Sequence, residues 1–276
     1  MTSNDIKILV DNYQFKLSNS RIFDINIWWD PIFTEGFINY NSPENFYGAL
    51  KSFHINEGII TSAMAARFDP YEGNLQIVEL IKGENNFYGC MILTPDMFYK
   101  NGEEYIAKLK SLKFIAARVF PDTYKHSMSD YSMGKLLNTL QSNGIPLLVW
   151  HSQVSFNDID RICHDYPKLS VIMDGHNVKY LYHAREYLSL LMHYKNFYIE
   201  AHNLVLFREI ETIADLASSK QLVYGSYFPY HTPHFSFHNI LTSDITQKQK
   251  AGILATNIQQ ILSIKNRKQA GDSIDY

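Results

Sequence analysis

The feature that most constrains this chain is a regular alternation of two patterns. Eight short runs rich in β-branched and aromatic residues, over 22–28, 59–67, 88–93, 115–120, 146–151, 170–174, 197–201 and 221–225, are separated by longer amphipathic stretches. The short runs are almost continuously apolar. Strands covered on both faces read this way, so the sequence predicts a parallel sheet wrapped in helices. Right-handed crossovers leave two assemblies for such units, an open doubly wound sheet or a closed (β/α)8 TIM barrel. The count of eight and the length of 276 residues favour a single-domain α/β barrel over 1–276, because that fold typically needs about 250 residues. No Pro/Gly/Ser-rich linker and no block of charge divides the chain.

Helix signals fill the gaps. Asn101-x-x-Glu104 and Ser155-x-x-Asp158 resemble capping boxes. The run 131–141 ends at Asn143-Gly144 followed by Pro146, a strong stop. Further helical patterns cover 179–194 and 207–217. The tail from Ser243 to about Lys265 carries Ile253, Leu254, Ile258, Ile261 and Leu262 on one stripe, which predicts a helix packed on the core. Residues 1–20 stand outside the alternation and predict a small hairpin around Asp11-Asn12 that closes the barrel floor; residues 266–276 predict a frayed tail.

Composition narrows the function. The formal charge of −3 gives no electrostatic footprint for nucleic acid. No apolar run approaches the ~20 residues that span a bilayer, and the start lacks the basic and apolar regions of a secretion signal. Cys90 and Cys163 form no disulfide framework and no zinc-finger spacing, so a reducing cytoplasm is the expected compartment. Neither cysteine ends a strand, and Gly-x-Ser-x-Gly, the P-loop and Gly-x-Gly-x-x-Gly are all absent. Aromatic residues make up 14%, which suits an aromatic-lined interior or pocket.

In a barrel the chemistry gathers at the C-terminal ends of the strands. Those ends offer Asp24, Asn26, Trp28 and Asp30 on the first strand, Arg67 and Asp69 on the second, and Arg118 on the fourth. His151 ends the fifth, Asp174-Gly175-His176 the sixth, Glu200 and His202 the seventh, and Gly225-Ser226-Tyr227 the eighth. His151, His176 and His202, closing three successive strands, are the sharpest signal. Such imidazoles with a carboxylate hold Zn²⁺ with one position open, act as general acids and bases, or simply cap strands with hydrogen bonds. His231, His234 and His238 are expected in a solvated loop.

Several segments in order carry a resemblance. They are Ile22-Phe23-Asp24-Ile25-Asn26-Ile27-Trp28, Leu147-Leu148-Val149-Trp150-His151, Asp165-Tyr166-Pro167-Lys168-Leu169, Asn196-Phe197-Tyr198-Ile199-Glu200, Leu222-Val223-Tyr224-Gly225-Ser226-Tyr227-Phe228-Pro229 and Ile253-Leu254-Ala255-Thr256-Asn257. Together they resemble the amidohydrolase-related (amidohydrolase family 2) branch of the metal-dependent hydrolase superfamily. That branch comprises (β/α)8 barrels that include aryl and amino-carboxymuconate-type decarboxylases and lactone hydrolases. The resemblance implies metal ligands at positions 26, 28, 151, 175 or 176, and 227. Here Asn26, Trp28 and Tyr227 replace the expected His, His and Asp. Indole has no lone pair to give a metal, and a phenol with an unperturbed pKa of about 10 is a poor base. Only His151 and His176 remain as ligands. Asp69-Pro70-Tyr71-Glu72-Gly73-Asn74 further resembles an Asp-Pro-x-x-Gly-Asn feature of a variant branch whose first strand also lacks the His-x-His.

The resemblance implies a hydrolase or decarboxylase of a small organic acid with a degenerate site. Its cofactor is expected to be absent, or a weakly held divalent metal such as Zn²⁺ on His151 and His176. His151, His176 and Glu200 are the expected catalytic residues, and Asn26, Trp28, Arg67, Arg118, His202 and Tyr227 the expected substrate-binding residues. Two alternatives stay open. One is a rearranged metal set drawing on His202, Glu200 or Asp174. The other is a non-catalytic small-molecule binder. The expected partner is a small molecule, not nucleic acid or membrane, and the aromatic content permits a homodimer.

Overall fold

The computed structural model describes residues 7, 13, 16–31, 40, 42–175 and 180–263. Its eight strands are β1 (Phe23–Trp29), β2 (Glu57–Ser62), β3 (Phe87–Ile92), β4 (Phe114–Arg118), β5 (Leu147–Trp150), β6 (Val171–Asp174), β7 (Phe197–Glu200) and β8 (Leu222–Val223). They pair in sequence order, and every pairing is parallel. The circle closes where the Ile25 amide donates to Tyr224 O at 3.2 Å and the Trp28 amide to Phe228 O at 2.7 Å. The single-domain (β/α)8 barrel expected from the alternation is therefore the observed fold.

Side chains on a strand alternate between faces, so the inward positions stack in layers. The lowest layer is apolar: Phe23, Ile25, Ile59, Cys90, Ala116, Leu148, Ile172 and Val223 form one buried cluster. Above it lie Asn26, Thr61, Arg118, Asp174 and Glu200, all buried. Above those, Trp28, Phe120 and Tyr227 pack with Ile92 and three alanines, with Trp150 and Tyr230 against them. The barrel thus holds a polar layer between an apolar floor and an aromatic roof.

The floor is sealed from below by the C-terminal segment, where Ala255 and Ile258 join the floor cluster and Ile261 and Leu262 pack beside it. Thr246 and Gln249 form a capping box that starts this helix. Asn257 fixes its place by donating to Ser219 O and Leu222 O, each at 2.8 Å. The sequence assigned the floor to a hairpin near the N-terminus. That hairpin falls mostly outside the described residues, and residues 16–18 on its flank are helical. The tail expected at 266–276 also lies outside the described residues.

The second strand is shorter than the apolar run 59–67 suggests. It stops at Ser62, whose hydroxyl accepts from the Ala65 amide at 3.1 Å and opens the helix Ala63–Arg67. Alanine-rich sequence after a serine favours a capped helix over a strand. The segment that follows explains the Asp-Pro-x-x-Gly-Asn feature in physical terms. Asp69 caps the helix Pro70–Leu80 by accepting from Tyr71 N at 2.9 Å and Glu72 N at 3.1 Å. A Cβ on Gly73 would lie 2.3 Å from the Ala65 backbone nitrogen, so only glycine lets the two helices pack this closely. Asn74 brackets β3, donating to Ile92 O and accepting from Ile92 N, both at 2.9 Å.

Other helices follow their signals. Ser155 caps Phe156–Asp165 through the Asp158 amide at 3.1 Å. The helix Asp130–Asn143 ends on Gly144 at φ 63°. Asn101 precedes Gly102–Ser111 but makes no side-chain cap bond, so the capping box read there does not form. The run 179–194 resolves into a 3₁₀ turn, Tyr180–His183, and the helix Ala184–His193. Among the described residues no helix is long and apolar enough to cross a membrane.

Candidate functional site

The polar layer is one hydrogen-bonded network drawn from five strands. Arg118 reaches inward from the end of β4. Its Nη2 lies 2.5 Å from Asp174 Oδ2 on β6 and donates to Asn26 Oδ1 on β1 at 3.0 Å. Its Nε donates to Thr61 Oγ1 on β2 at 3.3 Å. Asn26 Oδ1 also accepts from Trp28 Nε1 at 2.8 Å, and Asn26 Nδ2 donates to Glu200 Oε2 on β7 at 3.0 Å. Glu200 Oε1 accepts from the His202 amide at 2.7 Å, while Oε2 faces His202 Nδ1 in close contact. The Arg118 guanidinium also lies 5.2 Å from the Trp28 ring centre, a cation–π contact in a dry setting.

Burial opposes charge on Arg118, but attraction to Asp174 and hydrogen bonding to it outweigh that, so its pKa stays raised. Burial likewise raises Asp174, and the guanidinium opposes the rise. Each charge favours the other's, although burial still leaves the Asp174 carboxyl raised. Arg118 Nη1 has no hydrogen-bond partner among the described residues. A buried N–H left open in this way is costly unless a ligand or water takes it.

Backbone geometry shapes the roof. Tyr227 sits at φ 58°, in the left-handed region that ordinary residues seldom adopt. From there its ring stacks on His202 at 5.2 Å and 19° and meets Trp28 edge-on at 6.2 Å. Just below, Gly225 lets Glu200 pass: a Cβ there would lie 2.5 Å from the Glu200 carboxyl carbon. Asp24 sits in the β1–β8 seam, where its Oδ1 accepts from Asn26 N at 2.9 Å and Ser226 N at 3.0 Å. Burial pushes its pKa up to about 7, against the pull of those bonds.

The expected site residues are distributed as follows. Asn26, Trp28, Arg118, Glu200, His202 and Tyr227 meet in the network and its roof. Arg67 does not join them. It lies on the rim at the end of the helix Ala63–Arg67, pairing with Asp30 at 2.8 Å and donating to Tyr230 at 2.9 Å. His151 stands beside the network: its amide bonds to Asp174 O at 3.3 Å, and its ring meets Tyr180 at 5.1 Å and His183 at 5.9 Å. Neither of its ring nitrogens has a hydrogen-bond partner among the described residues. Burial, with His183 and His202 nearby, holds its pKa below the usual imidazole value. It borders a groove of about 800 Å³ together with Phe156, Asp160, His183, Arg185 and Glu186. His176 lies outside the described residues.

Three contributors were under-read in the sequence. Asp174, weighed as an orienter of histidine, is instead the partner of Arg118, and Thr61 completes that clamp. His231 sits 5.5 Å from the His202 ring and 5.2 Å from Tyr227, so it belongs to the rim and not to a solvated loop. His234 and His238 lie on the helix Pro233–Thr242 and pack against Tyr13. Period-two alternation signals Thr61 two residues above Ile59, and Asp174 two above Ile172.

Of the positions implied for a metal, those at 26, 28 and 227 do not fit one. Asn26 spends its carbonyl oxygen on Trp28 and Arg118, the indole offers no lone pair, and Tyr227 lies flat on His202. A fixed guanidinium already fills the space between strands 1, 2 and 6. Among the described residues, no three His, Cys, Asp or Glu side chains gather to hold a metal ion.

No family model matches the sequence, and no curated protein matches it. Solved structures do share the fold. A dihydroxybenzoic acid decarboxylase from a Polaromonas species, with bound manganese and the inhibitor 2-nitroresorcinol, superposes with a TM-score of 0.65 at 12% identity over 88% of this chain and 97% of that one. A 4-oxalomesaconate hydratase from Rhodopseudomonas palustris gives 0.62 at 14% identity, over 88% and 95%. An amidohydrolase 2 from Bifidobacterium longum subsp. infantis gives 0.62 at 14%, over 90% and 100%. These neighbours share the (β/α)8 barrel, the fold that the resemblance read from the strand-end motifs implies.

Proposed function

We propose that this protein is a member of the amidohydrolase-related branch that acts on a small organic acid at the barrel mouth, by hydrolysis or decarboxylation, without the branch's usual metal set. The carrying observation is the buried Arg118, clamped by Asp174 and Asn26, with Nη1 left without a hydrogen-bond partner among the described residues. Guanidinium is suited to carboxylate, which it binds through directed N–H donors. His151, kept neutral at pH 7 by burial, is the acid/base: it takes a proton from attacking water and passes it to the leaving group, or picks one up from solvent and gives it to the carbon that loses CO₂. Glu200 orients His202 and secures Asn26. Two barrels of the same fold are named for acting on small organic acids, which supports this substrate class.

A second reading, a non-catalytic binder, draws on the roof: Trp28 is 1% and Tyr227 2% exposed, so the layer beneath is well covered. One experiment separates the two. The protein is incubated with small aromatic and unsaturated carboxylic acids in the presence of chelator, with product formation and thermal shift both recorded. Turnover that falls at least ~100-fold in His151→Ala supports the enzyme. A thermal shift without turnover supports the binder, and neither signal overturns the proposal.

A further inference from the structure

We infer that Arg118 is the built-in cation of this barrel, standing where a divalent ion would otherwise be held, and that removing its side chain turns the polar layer into a cation-binding site. The guanidinium spans the barrel from β4 to β1, β2 and β6, touching Asn26, Thr61 and Asp174. Two carboxylates lie within this one network, Asp174 in direct contact and Glu200 through Asn26. The side chain is fully buried and cannot lose its proton, so the positive charge is permanent. A second cation entering this space would meet that charge at close range in a low-dielectric interior. The indole face of Trp28, 5.2 Å from the guanidinium, completes a cradle that suits a flat cation. Without the side chain, the cradle keeps its carboxylates and its amide and hydroxyl oxygens, which are hard donors for a cation. The inference concerns the charge of the layer and does not depend on turnover, so it survives even if the protein processes no acid.

The test compares wild type with Arg118→Ala, following melting temperature, tryptophan fluorescence and metal content. Wild type is expected to take up no stoichiometric Mn²⁺ or Zn²⁺ and to melt unchanged with chelator. Arg118→Ala is expected to melt lower by roughly 10 °C, because one partner of a buried pair is left alone in a chain of this size. Low-millimolar guanidinium chloride or MnCl₂ should restore part of that loss, and NaCl at matched ionic strength should not. Adding Asp174→Asn should abolish the rescue. The inference is overturned by one Mn²⁺ or Zn²⁺ per wild-type chain whose removal lowers the melt, by an Arg118→Ala melt equal to wild type, or by equal rescue with NaCl. If Arg118→Ala does not fold, Arg118→Lys and Arg118→Met take its place. The charge-keeping lysine should melt above the similarly sized methionine, and the reverse order or equality overturns the inference.

Discussion

The floor and the polar layer of this barrel are built by the same strands, a step or two apart, and they obey different rules. At the floor, Ile59, Cys90, Ala116, Leu148, Ile172 and Val223 are interchangeable in kind: each needs only to be apolar and of the right volume. In the layer above, Thr61, Arg118, Asp174 and Glu200 are not interchangeable, because each supplies an oxygen or N–H to a particular partner. A buried ion pair adds little net stability compared with apolar packing of the same volume. An interior built for stability alone would continue the floor upward. The contrast favours the upper layer as the place to test for function, on physical grounds that do not use the fold's precedents.

The strongest way to break the comparison is to remove one charge of the pair. Asp174→Ala leaves Arg118 buried with its main partner gone, and a loss of about 3–5 kcal/mol is expected by chemical denaturation. The double variant Asp174→Ala with Arg118→Met should recover much of that loss, because the stranded charge leaves too. Leu148→Ala in the floor should cost about 2–5 kcal/mol through its cavity, and no second substitution at Arg118 should repair it. If the Asp174 and Arg118 effects simply add, the two layers do not differ as argued.

The next effect is a pH dependence at the seam between β1 and β8, where the barrel closes. Asp24 titrates at about 7 in the folded state because burial disfavours its charge, while an exposed carboxyl titrates near 3.8. Between those values the native chain keeps a proton that the unfolded chain has released. Stability from this group is therefore present below about pH 4, is lost as pH rises toward 7, and is flat above. Asp24→Asn removes that slope while keeping an oxygen to accept from Asn26 N and Ser226 N. The variant should gain over wild type by up to about 4 kcal/mol at pH 8 and little at pH 4. A constant difference across pH would show that Asp24 carries no native proton.

How far the sequence reveals these layers depends on what each layer asks of a residue. The barrel was legible because eight apolar runs at regular spacing leave few assemblies, and the strand ends named Asn26, Trp28, Arg118, Glu200, His202 and Tyr227 correctly as neighbours. What was not legible is who partners whom. Arg118 read as a hand for substrate, yet one of its two terminal nitrogens is held by Asp174, 56 positions away in sequence order and on another strand. Arg67 looked like a strand-end residue because 59–67 is mostly apolar; the serine cap that ends the strand at Ser62 is a local bond that hydrophobic pattern does not encode. The stripe Ile253 to Leu262 marks the segment that seals the floor, while the hairpin expected at 1–20 lies mostly outside the described residues.

The smallest predicted effect sharpens the boundary between scaffold and site. Asp69, Gly73 and Asn74 belong to a motif whose position just beyond a strand suggests function, yet each has a structural duty: a cap, a close approach and a bracket on β3. Asp69→Ala removes two cap bonds at an exposed helix start and should cost about 1 kcal/mol of stability. Because Asp69 has no bond to Arg118, Asp174 or Glu200, the variant should bind a small carboxylate as tightly as wild type, with the melt alone displaced. A carboxylate affinity that falls several-fold in Asp69→Ala, with only that small loss of stability, would move this motif from the scaffold into the site and extend the mouth beyond its polar layer.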